Sequence, residues 1–277
     1  FCIMRQIVLL GNQRGRESCS LDEKTSHYLI NVRRMRKGDS FEAVDEAGSR
    51  FSCTIVSDDS HAVKLEIKPI RFSRSLVGTP LNKAEEDKAK PSVAPTLHIA
   101  LVQALPKGHK FDLIIRQAVE LEVELIVPLI TQHCVEQEPP ERAKAKLERR
   151  KRIIREAIQQ SGSFVYTEIL SAANLETLDA ALNAKGFNKR DSVRILFHES
   201  EKEESQALHL LLSGDKDRVV LAIGPEGGLS QNDCAAFIDL GFALHHARGP
   251  VLRVETAAAF AISAVRAIVF ERGLWKV

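Results

Sequence analysis

The chain has 277 residues, enough for one large domain or two smaller ones with a substantial core. Its 44% hydrophobic and 27% charged residues predict a soluble globular protein, and a net charge of only +2 means that nucleic-acid binding must be argued from where the charge lies. No apolar run approaches the roughly 18 residues of a membrane span. The amino-terminal stretch FCIMRQIVLLGNQRGRE also lacks the basic flank, long apolar core and cleavage site of a secretory signal, so we expect a cytoplasmic protein that contacts no membrane.

Cysteine usage argues against a disulfide framework and against a metal site. The five cysteines include no Cys-x-x-Cys pair, and their odd number leaves at least one unpaired. We therefore expect reduced thiols and no bound metal.

The first predicted domain, residues 1–74, is rich in short strands. Apolar residues alternate in SFEAV and AVKLEI, and AGSR between two such runs predicts a hairpin connection. The pattern predicts a small β-barrel. The stretch 74–95 has three prolines and few large apolar side chains, so we place a linker at residues 75–94.

The second predicted domain, residues 95–277, alternates strands and helices. In chain order the predicted elements are the strand LHIALVQAL, the helix KFDLIIRQAVELEV, the strand LIVPLIT, the helix ERAKAKLERRKRIIREAIQQSG, the strands RILFHE and RVVLAIG, a helix from about Ser230, the strand FALHHA and the helix ETAAAFAISAVRAIVFER. This order predicts an α/β domain with a mainly parallel sheet.

The loop AIGPEGGLS follows a predicted strand and precedes a predicted helix. Ser230 is a favourable helix cap, with Asp233 three positions later. Ligands bind at the carboxyl ends of parallel strands, which is where this loop lies. Pro225 removes a backbone donor and Glu226 adds negative charge, so the loop suits a neutral or cationic ligand better than phosphate. The alternative is a glycine-rich turn without function.

Two further segments hold candidate functional residues. RVET opens an alanine-rich helix, where Glu255 and Thr256 are explained equally well by helix initiation. His198 and Glu199 end a strand that we expect beside the IGPEGG strand, and this pair alone is a weak signal of catalysis.

Basic residues cluster in two places. Residues 141–156 hold eight basic and three acidic side chains, and the second cluster is Arg33–Lys37. Such clusters suit contacts with RNA phosphates, although a solvated helix face is the simpler explanation of the first. The predicted RNA-binding residues are Arg5, Arg33, Arg34, Arg36, Lys37, Arg149, Arg150 and Arg152.

IGPEGGLS followed about two dozen residues later by VLRVET resembles the methyltransferase E family of small-subunit ribosomal RNA methyltransferases, within the SPOUT superfamily. The resemblance spans nearly the whole chain. Met4–Arg5 and His27–Asp39 resemble the RNA-binding, PUA-like barrel of the family, while KGHKFDLIIRQAVELEVELIVPL and EAIQQSG resemble segments of its catalytic domain.

The resemblance implies S-adenosylmethionine-dependent methylation of N3 of one uridine in 16S ribosomal RNA. It also implies a homodimer whose parallel-sheet domain ends in a trefoil knot, with the cofactor bound by the knotted loops. The matching cofactor-binding residues are Phe197, His198, Glu199, Ile223, Gly224, Pro225, Glu226, Gly227, Gly228, Val251, Leu252, Arg253 and Thr256.

The chain departs from the family pattern Leu-Gly-x-Arg before its last helix. Ala247, Arg248, Gly249 and Pro250 stand there, so Arg248 is the predicted substitute for the missing arginine. Arg253 is the first candidate for stabilising charge on the uracil oxygens, because a guanidinium donates several hydrogen bonds and stays charged. Glu255 is a third predicted catalytic residue, and the general base is left open among Glu226, Glu255 and His198.

Three other functions are weighed against this one. Another SPOUT-type reaction would methylate a ribose 2'-hydroxyl or a guanine. An RNA-binding ribosome-assembly factor without catalysis would explain the altered loop. A nucleotide-dependent oxidoreductase is disfavoured because Gly-x-Gly-x-x-Gly is missing from the loop.

Overall fold

A computed structural model describes residues 6–70, 97–135, 138, 140–163, 165–199 and 205–272. These residues form two compact units, one from the described parts of Phe1–Ala94 and Ile158–Tyr166, the other from those of Pro95–Ala157 and Thr167–Val277. The linker predicted at 75–94 lies outside the described residues. The sequence prediction placed Ile158–Tyr166 in the second domain, whereas this segment groups with the first unit, where the Gln6 amide donates to the Gln159 carbonyl at 3.3 Å.

The first unit is built on one five-stranded sheet. Its elements are β1 (Ile7–Leu9), β2 (Ser18–Ser20), α1 (Glu23–His27), a π-helical turn (Tyr28–Val32), β3 (Ser40–Asp45), β4 (Arg50–Ser57) and β5 (Lys64–Pro69). The strand order is β1-β3-β4-β5-β2, antiparallel except for β1 beside β3. Alternating side chains of β4 and β5, among them Phe51, Ile55 and Leu65, are fully buried, as the alternation in the sequence predicts.

Where the sequence predicts a small β-barrel, the described residues form a half-barrel. β1 pairs with β3 and β2 pairs with β5, so the ladder begins and ends on these two strands without joining them. Each edge strand has only three residues, about 10 Å of chain, which gives little backbone for a closing ladder.

The predicted hairpin joins β3 to β4. The carboxylate of the buried Asp45 accepts hydrogen bonds from the amides of Gln13, Ala47 and Ser49, at 2.7 to 3.0 Å. Gly48 takes a left-handed conformation in the turn (φ 74°), which glycine adopts without strain. The buried charge is thus compensated by donors that fix the turn.

The second unit has a six-stranded parallel sheet covered by helices, which confirms the predicted α/β class. Its elements are β6 (His98–Ala104), α2 (Lys110–Glu120), β7 (Leu125–Leu129), α3 (Pro140–Ser161), β8 (Glu168–Ile169), α4 (Leu175–Ala184), β9 (Ser192–His198), α5 (Leu208–Leu211), β10 (Arg218–Ile223), α6 (Gln231–Asp239), β11 (Ala243–His246) and α7 (Val254–Glu271). The strand order is β11-β9-β10-β6-β7-β8. The sequence prediction missed β8, α4 and α5.

The central strands β6 and β10 are buried on both faces, as their continuous apolar sequence predicts. α2 buries the apolar positions that the sequence assigned to one face, including Ile114 and Ile115, and packs against α7. Among the described helices, none combines the length and the apolar character that crossing a bilayer requires.

Candidate functional site

Loops that follow parallel strands of the second unit meet at the carboxyl edge of the sheet. β9, β10 and β11 lie in this sheet with their ends at the same edge, so the loops after them surround a common space. A cavity of about 350 Å³ lies there. Its walls are Lys110, Phe197, His198, Glu199, Ile223, Gly224, Pro225, Glu226, Gly228, Leu229, Ala247, Pro250, Val251, Leu252, Arg253, Val254, Ala257 and Phe260.

The Gly-Pro-Glu-Gly-Gly loop forms a tight turn at the cavity wall. The amide of Gly228 donates to the carbonyl of Pro225 at 3.0 Å, and Gly228 has a φ of 70°. A Cβ on Gly228 would lie 2.9 Å from Oε1 of Glu199, too close for any real contact. The backbone conformation therefore favours glycine here, and any larger residue would also make the Glu199 carboxylate shift.

The helix after this loop begins as the sequence predicts. Ser230 caps α6 by accepting the amide of Asp233, and the Asp233 carboxylate accepts the amide of Ser230, at 3.0 Å in both cases. This capping box fixes the direction in which the chain leaves the turn.

Glu226 ties the loop after β10 to the loop after β6. Its carboxylate accepts the amide of Lys107 at 3.2 Å and the ammonium of Lys110 at 2.8 Å. Partial burial raises the pKa of Glu226, but the hydrogen bonds from Lys110 and from backbone amides outweigh it and hold the pKa below its usual value. Glu226 is therefore ionised at neutral pH and already engaged with a cation.

The loop before α7 closes another side of the cavity. Pro250, Val251 and Leu252 line it, and Arg253 lines it from the position just before the helix. Arg253 is solvent-exposed and its carbonyl accepts the amide of Ala257 at 2.8 Å, so the first turn of α7 holds its backbone in place.

Histidines of β11 brace the end of β9. The ring of His245 meets the ring of Phe197 edge to face, with centroids 5.0 Å apart, and His246 Nδ1 lies 3.3 Å from the carbonyl oxygen of His198. These contacts hold Phe197 and His198 at the cavity wall.

The structure brings together every predicted cofactor residue except Gly227 and Thr256. Gly227 faces His133 on the loop after β7, with His133 Nδ1 3.2 Å from its carbonyl oxygen. Two of the predicted catalytic residues, Arg248 and Glu255, also lie outside the cavity lining, and Arg248 is exposed. In place of Arg248, Pro250 stands at the wall.

Seven residues that line the cavity are absent from the predicted set, and for some of them the sequence contains a pattern that could have identified them. Lys110 begins the helix that follows the parallel strand β6, and the other loops of the site were predicted because they too follow parallel strands. Val254, Ala257 and Phe260 continue one face of α7 at helical spacing from Arg253. The remaining three are Leu229, Ala247 and Pro250.

The predicted RNA-binding residues differ in their surroundings. Arg33, Arg34, Arg36 and Lys37 are exposed on the first unit, and Arg149 and Arg152 are exposed on α3, whereas Arg5 lies outside the described residues. The Arg149 guanidinium forms a two-pronged ion pair with Asp112.

Arg150 is a correction to the predicted RNA-binding set. Its side chain is only 7% exposed, forms an ion pair with the buried Glu138 and lies over the ring of Phe111 at 4.8 Å. Because Arg150 shares the inner face of α3 with Ile153 and Ile154, it supports the fold and is not available to RNA.

The sequence matches two family models. One, described as an RNA methyltransferase domain, covers residues 93–266, and the other, described as an RNA methyltransferase PUA domain, covers residues 21–68. The chain belongs to this RNA methyltransferase family. The resemblance to the methyltransferase E branch of the RNA methyltransferases is confirmed by curated relatives over most of the chain.

Two such relatives and one solved structure illustrate the match. Ribosomal RNA small subunit methyltransferase E 2 of Borreliella burgdorferi is 26% identical, covering 96% of this chain and 98% of the relative. Ribosomal RNA small subunit methyltransferase E of Aquifex aeolicus is 26% identical, covering 91% and 94%. The crystal structure of a ribosomal RNA small subunit methyltransferase E from Neisseria gonorrhoeae bound to S-adenosyl methionine shares the fold, with a TM-score of 0.69, 22% identity and 98% of each chain covered.

Proposed function

We propose that this RNA methyltransferase binds S-adenosylmethionine and methylates N3 of a uridine in 16S ribosomal RNA of the small subunit. The observation that carries the proposal is the cavity, whose walls come from the three loops that match the cofactor-binding loops of the methyltransferase E family. The curated relatives named as small-subunit methyltransferases support the choice of RNA.

The residues around the cavity fit S-adenosylmethionine. Its volume lies in the range of small-molecule sites, and Ile223, Leu252 and Phe260 offer apolar surface for an adenine ring. Glu199 and Glu226 line the cavity and disfavour a phosphate-bearing ligand, while suiting one with a positive charge. When bound, S-adenosylmethionine supplies the methyl group, whose bond to sulfur breaks with the electron pair remaining on sulfur.

The chain's own residues position and polarise the base. N3 of uracil must lose its proton, and negative charge then spreads to O2 and O4, where Arg253 can donate hydrogen bonds from the cavity wall. Of the three candidates for the general base, Glu226 is already paired with Lys110 and Glu255 lies outside the lining. His198 lines the cavity and is the remaining candidate.

RNA binding is assigned to exposed basic residues of each unit taken separately. Arg33, Arg34, Arg36 and Lys37 serve in the first unit, and Arg149 and Arg152 in the second, with Arg5 kept from the sequence prediction. Since these residues would neutralise phosphates, affinity for RNA should fall steeply with salt concentration, and a flat salt dependence would contradict the assignment.

We further infer a homodimer and the trefoil knot expected from the family, in a cytoplasmic enzyme. The exposed residues Thr256, Phe260, Ser263 and Ala267 follow one another at helical spacing on α7, and most of them are small enough for close approach of a second helix. Light scattering of the purified chain tests the dimer.

Two measurements test the proposed reaction. Calorimetry with S-adenosylmethionine tests binding, and wild-type protein should bind it with one site per chain. Small subunits from a strain lacking this protein are then incubated with protein and cofactor, and nucleoside mass spectrometry should find N3-methyluridine. A methylated ribose or guanine would instead establish the alternative SPOUT-type reactions.

One observation favours a second function, an RNA-binding assembly factor without catalysis. Pro250 occupies the cavity wall where the family has an arginine, and Arg248 lies outside the lining. Absence of S-adenosylmethionine binding in the calorimeter, together with retained binding to small subunits, would support this alternative.

A further inference from the structure

Lys110 is placed apart from the other residues of the cavity wall. It begins α2, directly after the loop that follows β6, while all other lining residues come from Phe197 onwards. The sheet brings β6 beside β10, so the beginning of α2 reaches the same edge as the Gly-Pro-Glu-Gly-Gly loop. Lys110 and Arg253 are the only lysine or arginine among the described residues that line this cavity.

The ammonium of Lys110 is held charged. It donates to Glu226 at 2.8 Å, and this hydrogen bond raises the pKa of Lys110 above its ordinary value. A protonated lysine cannot accept the uracil proton, but it has three N–H donors, of which Glu226 takes one. Two donors remain for a ligand.

Lys110 stands at the rim of the cavity. Its side chain is 40% exposed and lines the cavity together with Arg253, which is also exposed. Negative charge that develops on a ligand in this cavity is stabilised by both cations. The rim is also the side from which a nucleotide base turned out of a folded RNA must enter.

We propose that Lys110 is a second catalytic cation, which donates a hydrogen bond to a carbonyl oxygen of the uracil and stabilises the negative charge that develops on this base. The proposal rests on the proposed function. In the reaction the general base, for which His198 is the remaining candidate, takes the N3 proton. The N3 lone pair forms the bond to the methyl carbon, and sulfur keeps the electrons of the broken bond. Lys110 donates its hydrogen bond to the uracil carbonyl oxygen on which the most negative charge develops when N3 loses its proton.

The test compares Lys110→Met and Lys110→Arg with Arg116→Met. Arg116 is an exposed cation on the same helix that does not line the cavity, so its substitution controls for the loss of one positive charge. The Met variant of Lys110 should lose about 100-fold in single-turnover rate on small subunits, as expected for one oxyanion donor. The Arg variant keeps the charge and should lose less than about tenfold, and the Arg116 variant should match wild type.

A substrate with a more acidic N3 distinguishes a direct contact between Lys110 and the base from a merely structural role of Lys110. Small subunits reconstituted with RNA containing 5-fluorouridine present a more acidic N3, which needs less help to form the anion. The rate deficit of Lys110→Met should shrink to about tenfold on this substrate, because catalysis by a charge-stabilising group matters less when the anion forms readily. A structural defect would leave the deficit unchanged, and that result would overturn the proposal.

Two binding measurements exclude the other anions that Lys110 could meet. Calorimetry should give Lys110→Met a dissociation constant for S-adenosylmethionine within about threefold of wild type; a large loss would place Lys110 on the cofactor carboxylate. A loss confined to RNA affinity, with a shallower salt dependence, would make it a phosphate contact. If wild type forms no N3-methyluridine, the proposed function itself fails, whereas full activity of Lys110→Met overturns only the role of Lys110.

Discussion

Substituting Gly228 by alanine tests whether the turn at the cavity wall sets the shape of the ligand site. The residue has a φ of 70°, and the new Cβ would lie 2.9 Å from Oε1 of Glu199. The variant must therefore accept a left-handed alanine and also move the Glu199 carboxylate, which lines the cavity.

The two effects have different magnitudes and different readouts. A left-handed L-residue costs about 1 to 2 kcal/mol relative to the ordinary conformation, partly offset because alanine has less unfolded-state freedom than glycine. A net loss of about 1 kcal/mol lowers the melting temperature by roughly 2 to 4 °C in a chain of this size. Displacement of Glu199 adds a loss of S-adenosylmethionine affinity of about tenfold, or 1.4 kcal/mol.

Gly186→Ala is the matched control in the same unit. Gly186 has a φ of 80°, but a Cβ there meets only the Arg218 guanidinium at 3.5 Å, an ordinary contact, and it does not line the cavity. Thermal unfolding followed by circular dichroism should show similar losses for both variants, while calorimetry should find weaker binding only for Gly228→Ala. Equal cofactor affinity in both variants would refute the claim that this turn restrains Glu199.

Three further substitutions test individual interactions. Arg150→Ala should cost about 3 kcal/mol of unfolding free energy in urea, because the buried Glu138 carboxylate loses its nearer cation and keeps Lys146 at 3.9 Å. Arg152→Ala should change stability by less than about 0.5 kcal/mol, and similar values for the two variants would contradict the burial assigned to Arg150. Glu122 has a φ of 57°, a conformation that glycine adopts more easily than alanine. Glu122→Gly and Glu122→Ala both lose the ion pair with Arg266 of α7, so the unfolding free energy measured in urea should be about 1 kcal/mol higher for the glycine variant. The pKa of Glu226 is lower in the folded state than in the unfolded state, where it is about 4.3. The ionised carboxylate therefore contributes its full stabilisation above about pH 4.3, and this contribution is lost as pH falls through the folded-state pKa. Melting temperatures of wild type and Glu226→Gln should therefore differ by a constant amount between about pH 6 and 8 and converge in acid, and a difference that grows in acid would reverse the assigned sign.

Local chemistry made some of these features readable from sequence. Ser230 and Asp233 form the capping box that their spacing predicts, and the continuous apolar runs of β6 and β10 are the central buried strands. The start of α4 carried a comparable signal in Asn174 and Thr177, which form a capping box, yet the sequence prediction missed it.

Features that depend on contacts between residues far apart in the chain could not be predicted from the sequence. The run of arginines in α3 reads as uniformly basic, although Arg150 lies one helical turn before Ile154 and therefore faces inward. The pairing of Lys110 with Glu226 joins residues 116 positions apart, and only the parallel alignment of β6 with β10 brings them together. The predicted carboxyl ends of the strands were enough to locate the loops of the site. Which side chains of these loops line the cavity depends on the backbone conformation of each turn, which the sequence pattern does not give.

α3 has a consequence for anyone who would exchange the two units between relatives. The helix runs from Pro140 to Ser161, and its last residues, from Ile158, group with the first unit. The chain therefore passes from one unit to the other three times, and the first unit is encoded by two separate stretches of the gene. A chimera joined at a single point near residue 94 would build the first unit from two relatives, because Ile158–Tyr166 would come from the second parent, so an exchange of the whole first unit has to transplant this segment as well.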